Sequence, residues 1–229
     1  MKACRSTNGN MTTTLSPKAA LTAIEVVRQH FAARLAAAQE SPAIAAELEN
    51  ILALLAGVDF TRPDEKHLKA SGHPVITQLR QVGAQSSASS ATQAIFDAFL
   101  PHLDALPWRY SYEPRPDAPD IGQRMAWAEL VGPIAPFHSH QVCLGLTAIG
   151  SGLLYPLHYH PAVETYLVVS GTAAWTADGL TRQHPPGTLI LHPSNIIHAM
   201  KAGDEPLLAV YAWTGDVETL SAYVDDIGP

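Results

Sequence analysis

The chain has 229 residues, 47% of them hydrophobic, with 14 Lys and Arg against 21 Asp and Glu. That length supports one sizeable core, and the net charge of −7 argues against nucleic acid or an anionic membrane surface as partner, since both demand concentrated positive charge. A small molecule is the expected ligand, and two cysteines without CxxC spacing provide no disulfide framework.

Residues 1–15 contain no apolar run of the signal-peptide kind, and no segment reaches the ~20 apolar residues of a membrane helix. The segment reads as an unstructured leader, and the protein as cytoplasmic. Ser16-Pro17 and Ser41-Pro42 each place an N-cap serine before a proline whose fixed φ suits the first helical turn. Helices are expected over 17–38 and 42–56, the second closing at Gly57. A third, over 91–105, carries Ile95, Phe96, Phe99, Leu100 and Leu103 at helical spacings and stops before Pro107. Residues 16–106 thus form a helical region, with Ser86–Ser90 as a loop inside it. His30, His67, His73 and His102 lie in this half without a partner at ligand spacing.

From about residue 107 the pattern changes to short apolar runs punctuated by Pro and Gly, at 124–131, 142–149, 164–169, 172–176, 188–191 and 207–213. Short strands at such spacing indicate an all-β sandwich or barrel, here over 107–229. Asp178-Gly179 reads as a hairpin turn, and 217–224 as a short helix packed outside.

Chemistry concentrates in His158, His160, Glu164 and Tyr166, all at even positions, which one strand would project to one face. His198 supplies a further imidazole from a facing strand. Histidine plus carboxylate is a donor set for Fe(II), Zn(II), Mn(II), Co(II) or Ni(II), and spacing does not choose among them. His192, followed by Pro193, reads as a structural loop residue. His138-Ser-His140 follows Pro136 and has no glutamate after it, so it is not selected as a second metal site. His184 reads as an exposed loop residue, and Cys143 as a small core residue.

The ligand segment matches G-x5-H-x-H-x3-E-x6-G at Gly152, His158, His160, Glu164 and Gly171, and G-x5-P-x4-H at Gly187, Pro193 and His198. These resemble the two motifs of the cupin superfamily, with Asn195 where the second motif usually has glycine. The run from Tyr155-Pro156 through Tyr166, with Trp175, Pro185-Pro-Gly187, His192-Pro-Ser and Tyr211-Ala-Trp213-Thr-Gly-Asp216, is similar to the cupin-type dimethylsulfoniopropionate (DMSP) lyases, which also carry helices ahead of the barrel. The resemblance implies a mainly β fold, a jelly-roll cupin β-barrel preceded by an α-helical region. It also implies one divalent metal held by His158, His160, Glu164 and His198, and a lyase cleaving a sulfonium carboxylate to dimethyl sulfide and acrylate by β-elimination. Tyr166 is then the expected base, acting on the α-proton. Tyr155 is expected to hold substrate, and Trp175, Tyr211, Trp213 and Tyr223 are further candidates for a pocket wall facing the sulfonium, since aromatic faces attract cations. A homodimer is compatible with this reading. The competing expectations are an Fe(II) cupin dioxygenase and a non-catalytic metal or small-ligand sensor, because one architecture hosts many chemistries.

Overall fold

The computed structural model describes residues 14–83, 88–113, 115–116 and 118–224. The leader expected at 1–15 therefore lies, except for its last two residues, outside the described residues, as does part of the Ser86–Ser90 loop.

The N-terminal helices begin where the capping chemistry places them. α1 (Pro17–Ala37) starts with the Ser16 Oγ accepting from the Ala19 N–H at 3.1 Å, and α2 (Pro42–Ala56) with Ser41 Oγ accepting from Ile44 N–H at 3.3 Å. α1 ends on Ala38 in the left-handed conformation (φ 52°), whereas Gly57 after α2 keeps φ at −85°, so that glycine is not there for its left-handed freedom. α3 (Pro74–Gly83) was not foreseen. α4 spans only Gln93–Phe99, and the rest of the expected third helix is a 3-10 turn over Leu100–Ala105. Pro101 explains the change, because a proline inside an α-helix lacks the N–H and clashes with the preceding turn. After the short α5 (Ile121–Arg124) the chain becomes strands.

The strands are β1 (Met125–Gly132), β2 (Phe137–His138), β3 (Val142–Ile149), β4 (Leu154–Tyr159), β5 (Val163–Ser170), β6 (Ala173–Ala177), β7 (Leu180–His184), β8 (Leu189–His192), β9 (His198–Ala202), β10 (Leu207–Thr214) and β11 (Ala222–Tyr223). They form a six-stranded sheet in the order β2-β1-β3-β10-β5-β8 and a five-stranded sheet in the order β11-β4-β9-β6-β7. The barrel expectation needs refinement here: the two sheets are separate hydrogen-bonded units facing one another, a jelly roll and not a closed cylinder. Asp178 (φ 49°) and Gly179 (φ 72°) make the two-residue turn between β6 and β7, with both central residues at positive φ as a tight hairpin requires. The helix expected over 217–224 is absent. This stretch is extended and ends in β11, whose Ala222 and Tyr223 pair with Tyr159 and His158 of β4. Eight residues make a marginal helix even with Asp216 accepting from the N–H groups that follow it, whereas pairing with β4 satisfies backbone groups and delivers Tyr223 to the interior.

Two apolar layers result. Ala126, Ala128, Leu130, Leu144, Leu146, Ala148, Leu208, Val210 and Ala212 face the helices, while Met125, Cys143, Ile149, Ala209, Tyr211, Tyr166 and Val168 face the second sheet. The six-stranded sheet is thus covered on both sides, and every residue of β3 is buried. That is why its strands read as continuous apolar runs instead of alternating ones. The helices also pin the strands that carry the site. Thr92 Oγ1 donates to the Val169 carbonyl of β5 at 2.8 Å, an Arg34 N–H to the Gly187 carbonyl ahead of β8 at 2.7 Å, and Thr214 Oγ1 of β10 to the Glu47 carboxylate of α2 at 2.6 Å.

Candidate metal centre

The structure brings His158, His160, Glu164, Tyr166 and His198 together, but by a different route from one alternating strand. His158 lies on β4 of the five-stranded sheet, directly opposite His198 on β9. His160 follows the end of β4, and Glu164 and Tyr166 lie on β5 of the other sheet. The turn at 160–162 therefore carries the chain from one sheet to the other, and the ligands converge across the interior. Two motif positions hold backbone that most side chains resist. Gly171 has φ 75°, and a Cβ there would sit 2.5 Å from the Pro206 carbonyl oxygen. Asn195 has φ 62°, so the asparagine standing where a glycine is usual occupies the left-handed region that asparagine tolerates. Its N–H donates to the His160 carbonyl at 2.8 Å, fixing the loop against a candidate ligand.

Glu164 is the focus. One carboxylate oxygen, Oε1, accepts from the Trp213 indole N–H at 2.6 Å. The other, Oε2, lies 3.1 Å from His160 Nε2, 3.3 Å from His198 Nε2 and 3.4 Å from His192 Nδ1. Register explains the flanking pair, since Glu164 stands opposite Trp213 on one side and His192 on the other. Glu164 and the three histidines are each at most 2% exposed. His158, His160 and His198 each hold Nδ1 against a backbone carbonyl, those of Pro156, Ala162 and Ile196, at 2.8, 3.0 and 2.9 Å. A ring that donates through Nδ1 presents Nε2 as a lone pair, the arrangement found for metal-binding imidazoles. Neutral His160 and His198 would then aim two lone pairs at one carboxylate oxygen, which is repulsive unless a cation lies between them or a ring takes up a proton. The buried Nε2 atoms of His198 and His192 have no hydrogen-bond partner, and buried polar atoms without partners call for a water or an ion. His160, Glu164 and His198 offer ligand atoms within 4.8 Å of one another and could hold a metal ion. The residues present fit such a group.

The electrostatics agree. Burial would push the Glu164 carboxyl up, but the charge of His160 and the close approach of the His160, His192 and His198 rings prevail and hold it well below the usual carboxylate range. Burial, followed by the nearby His198, holds His158 well below the usual imidazole range, and burial takes His192 down to about 4. His160 moves up: burial opposes the shift, and Glu164 overcomes it. Burial and the adjacent Glu164 charge push the Tyr166 phenol well up. The Tyr166 hydroxyl is hydrogen-bonded to Glu164 and to Thr147, the latter bond favouring the ionised oxygen.

A cavity of about 950 Å³ opens onto this cluster. Tyr155, Tyr211, Trp213 and Tyr223 line it, together with His158, His160, Glu164 and Tyr166. Trp175 is a correction: it is not in the cavity wall, and packs instead behind Tyr166 with ring centroids 5.4 Å apart. Sequence reasoning missed Tyr112 and Trp127, which extend the aromatic wall, and the Arg109–Glu129 ion pair (2.8 Å), which also lines the cavity. It also assigned His192 to a loop, whereas His192 ends β8 inside the cluster. Tyr155 stacks on His158 (centroids 3.8 Å apart, 19°), and its hydroxyl meets that of Tyr112.

A two-sheet jelly roll with a buried histidine–carboxylate cluster at its centre and an aromatic cavity opening onto it defines a cupin. The chain belongs to the dimethylsulfoniopropionate lyase family, whose model matches residues 49–209. It is 35% identical over 132 residues to dimethylsulfoniopropionate lyase DddQ of Ruegeria pomeroyi, a match covering 57% of this chain and 66% of that protein. It is 34% identical over 133 residues to the putative dimethylsulfoniopropionate lyase DddL of Cereibacter sphaeroides, covering 57% and 55%. The chain thus spans somewhat under two thirds of the length of these curated relatives. Among solved structures, that of DMSP lyase DddQ from Ruegeria pomeroyi superposes with a TM-score of 0.75 at 27% identity, covering 93% of this chain and all of that one. A structure of the DMSP lyases RdDddP and RnDddQII gives 0.72 at 27% identity, covering 92% of this chain and all of the other.

Proposed function

We propose that this protein cleaves dimethylsulfoniopropionate, or a close β-sulfonium carboxylate, to dimethyl sulfide and acrylate by base-catalysed β-elimination. The observation that carries the reading is the convergence of the lone pairs of His160 and His198 on Glu164, at the inner end of a cavity walled by aromatic rings. His160, Glu164 and His198 would hold a divalent metal. His158 is the fourth candidate, because its Nε2, with Nδ1 engaged by Pro156, can take a cation but cannot donate to a carboxylate while neutral. Such a cation supplies positive charge that stabilises the substrate carboxylate as negative charge develops on it and favours the ionised form of a nearby phenol.

The remaining work falls to the chain. Tyr166 takes the α-proton on its phenolate oxygen; the C–H pair becomes the new double bond, and the C–S bond breaks with its electrons leaving on dimethyl sulfide. The Thr147 hydroxyl, hydrogen-bonded to Tyr166, stabilises that oxygen in its ionised form. Tyr155, Tyr211, Trp213 and Tyr223 offer rings to the sulfonium, each worth about 0.5–2 kcal/mol, and their hydrophobic bodies exclude water. Headspace gas chromatography of purified protein with DMSP, supplied separately with Fe(II), Zn(II), Mn(II), Co(II) and Ni(II), tests the reading. Dimethyl sulfide with stoichiometric acrylate is expected from wild type, and its loss in Tyr166→Phe and His198→Ala. A folded, metal-loaded wild type yielding no dimethyl sulfide with any of these metals would overturn it.

A further inference from the structure

A second pair of histidines, His138 and His140, lies outside the central cluster, next to Glu218, which lines the cavity. β2 ends at His138, paired in parallel with the end of β1 through Gly132, and Ser139 then turns the chain, its Oγ accepting from the N–H groups of Gln141 and Val142 at 3.2 Å each. The turn leaves His138 and His140 exposed with their Nε2 atoms 2.8 Å apart, ring centroids 4.3 Å apart and planes at 89°. Those ring separations fall within the 4.0 to 5.2 Å seen for His158, His160 and His192 against His198. His140 Nδ1 is engaged by the Glu218 carboxylate. Glu218 is itself on a fixed turn, since Asp216 Oδ1 accepts from the N–H groups of Glu218 and Thr219 at 3.2 and 3.0 Å, and Oδ2 from the Thr219 hydroxyl at 2.8 Å.

We propose that His138 and His140 form a second, surface site for a transition-metal dication, with both Nε2 atoms as ligands and Glu218 orienting His140 from behind. A carboxylate on Nδ1 fixes the tautomer that leaves the Nε2 lone pair free on the side of His138, as in carboxylate–histidine–metal arrangements. Two imidazoles suit Zn(II), Cu(II) or Ni(II), and not Mg(II) or Ca(II), which take oxygen ligands. Both rings are exposed, so water completes the coordination, and the site binds more weakly than the buried cluster. The competing arrangement is a single hydrogen bond between the two rings, which needs no ion.

This inference rests on the central metal site, and calorimetric titration of the protein after it has been loaded with one equivalent of Zn(II) and freed of excess separates the two. One further Zn(II) equivalent is expected, absent from the His138→Ala/His140→Ala variant, which keeps the first equivalent. Glu218→Gln should retain the second equivalent with affinity lowered roughly tenfold or more, and Mg(II) should produce no binding. If the loaded protein takes up no further Zn(II), or the double variant still binds a second equivalent, the proposal fails.

Discussion

At the scale of single residues, Trp213 has a larger task than lining the cavity. Its indole N–H is fixed on Glu164 Oε1 at 2.6 Å, and its ring stacks on His160 with centroids 4.3 Å apart at 29°. It therefore holds two candidate ligands at once, one by a charge-assisted hydrogen bond and one by contact. Trp213→Phe keeps most of the stack and removes the donor. Partners of this kind are worth about 10- to 100-fold in metal affinity, so competition against a chromophoric chelator should show a loss in that range; unchanged affinity would reduce Trp213 to a wall residue. Asn195 gives a second prediction. Its φ of 62° costs less in asparagine than in branched residues, and glycine adopts it freely. Asn195→Gly should leave metal affinity within about twofold, whereas Asn195→Val should weaken it by straining the loop that holds His160; equal affinity in both variants would show that the left-handed conformation does not matter. The candidate ligands were legible because they sit in motifs with their turn residues. His192 was not, since the following proline hid the fact that β8 runs up to it and pairs its position with Glu164.

At the scale of elements, the lesson lies in what alternation can and cannot read. Even positions correctly grouped His158, His160, Glu164 and Tyr166, yet the grouping survives a change of sheet between His160 and Val163. The four side chains meet across the interior, and parity within one strand is not what brings them there. β4 and β9 are marked by their histidines alone and by no sustained apolar run, because the five-stranded sheet packs only one face inward, leaving Leu154 and Leu157 48% and 45% exposed. β3, β5 and β10 were legible because both of their faces are covered. The cover is the helical region, and Thr92 is a testable joint between the two: it is fully buried, and its hydroxyl donates to the Val169 carbonyl of β5. Thr92→Val keeps the shape and orphans that carbonyl, at a cost of about 1–3 kcal/mol. A fall in Tm of roughly 2–10 °C follows for a domain of this size, as one cooperative transition. Two separate transitions by circular dichroism would show instead that helices and sheets fold independently.

For the whole molecule, the buried cluster ties stability to pH in the absence of metal. Burial holds His192 down at about 4 and His158 well below its ordinary value, so both stay neutral in the fold while the unfolded chain takes up a proton on each near pH 6.5. Between pH 6.5 and about 4 the unfolded state therefore binds more protons, and stability falls as pH falls. Glu164, held well below its ordinary range, acts in the same direction, its contribution being present above about pH 4.5 and lost on acidification through its folded value. His160 opposes them: shifted upward by Glu164, it contributes stability that is fully present below pH 6.5 and lost as pH rises through its folded value. Below pH 6.5 the His160 contribution is already complete and that of Glu164 is not yet lost, so His158 and His192 decide the slope: chelator-treated protein should lose stability from pH 6.5 toward 4.5, His192 alone accounting for about 3 kcal/mol over its full range. Bound metal should blunt the loss at its onset, because the ion holds the deprotonated forms, and should itself be released as protons compete for the same lone pairs. Urea unfolding of chelator-treated wild type and His192→Gln across this range isolates one proton. The variant's stability should fall less steeply on acidification, and parallel curves would mean that His192 takes up its proton in the folded state at the ordinary pH.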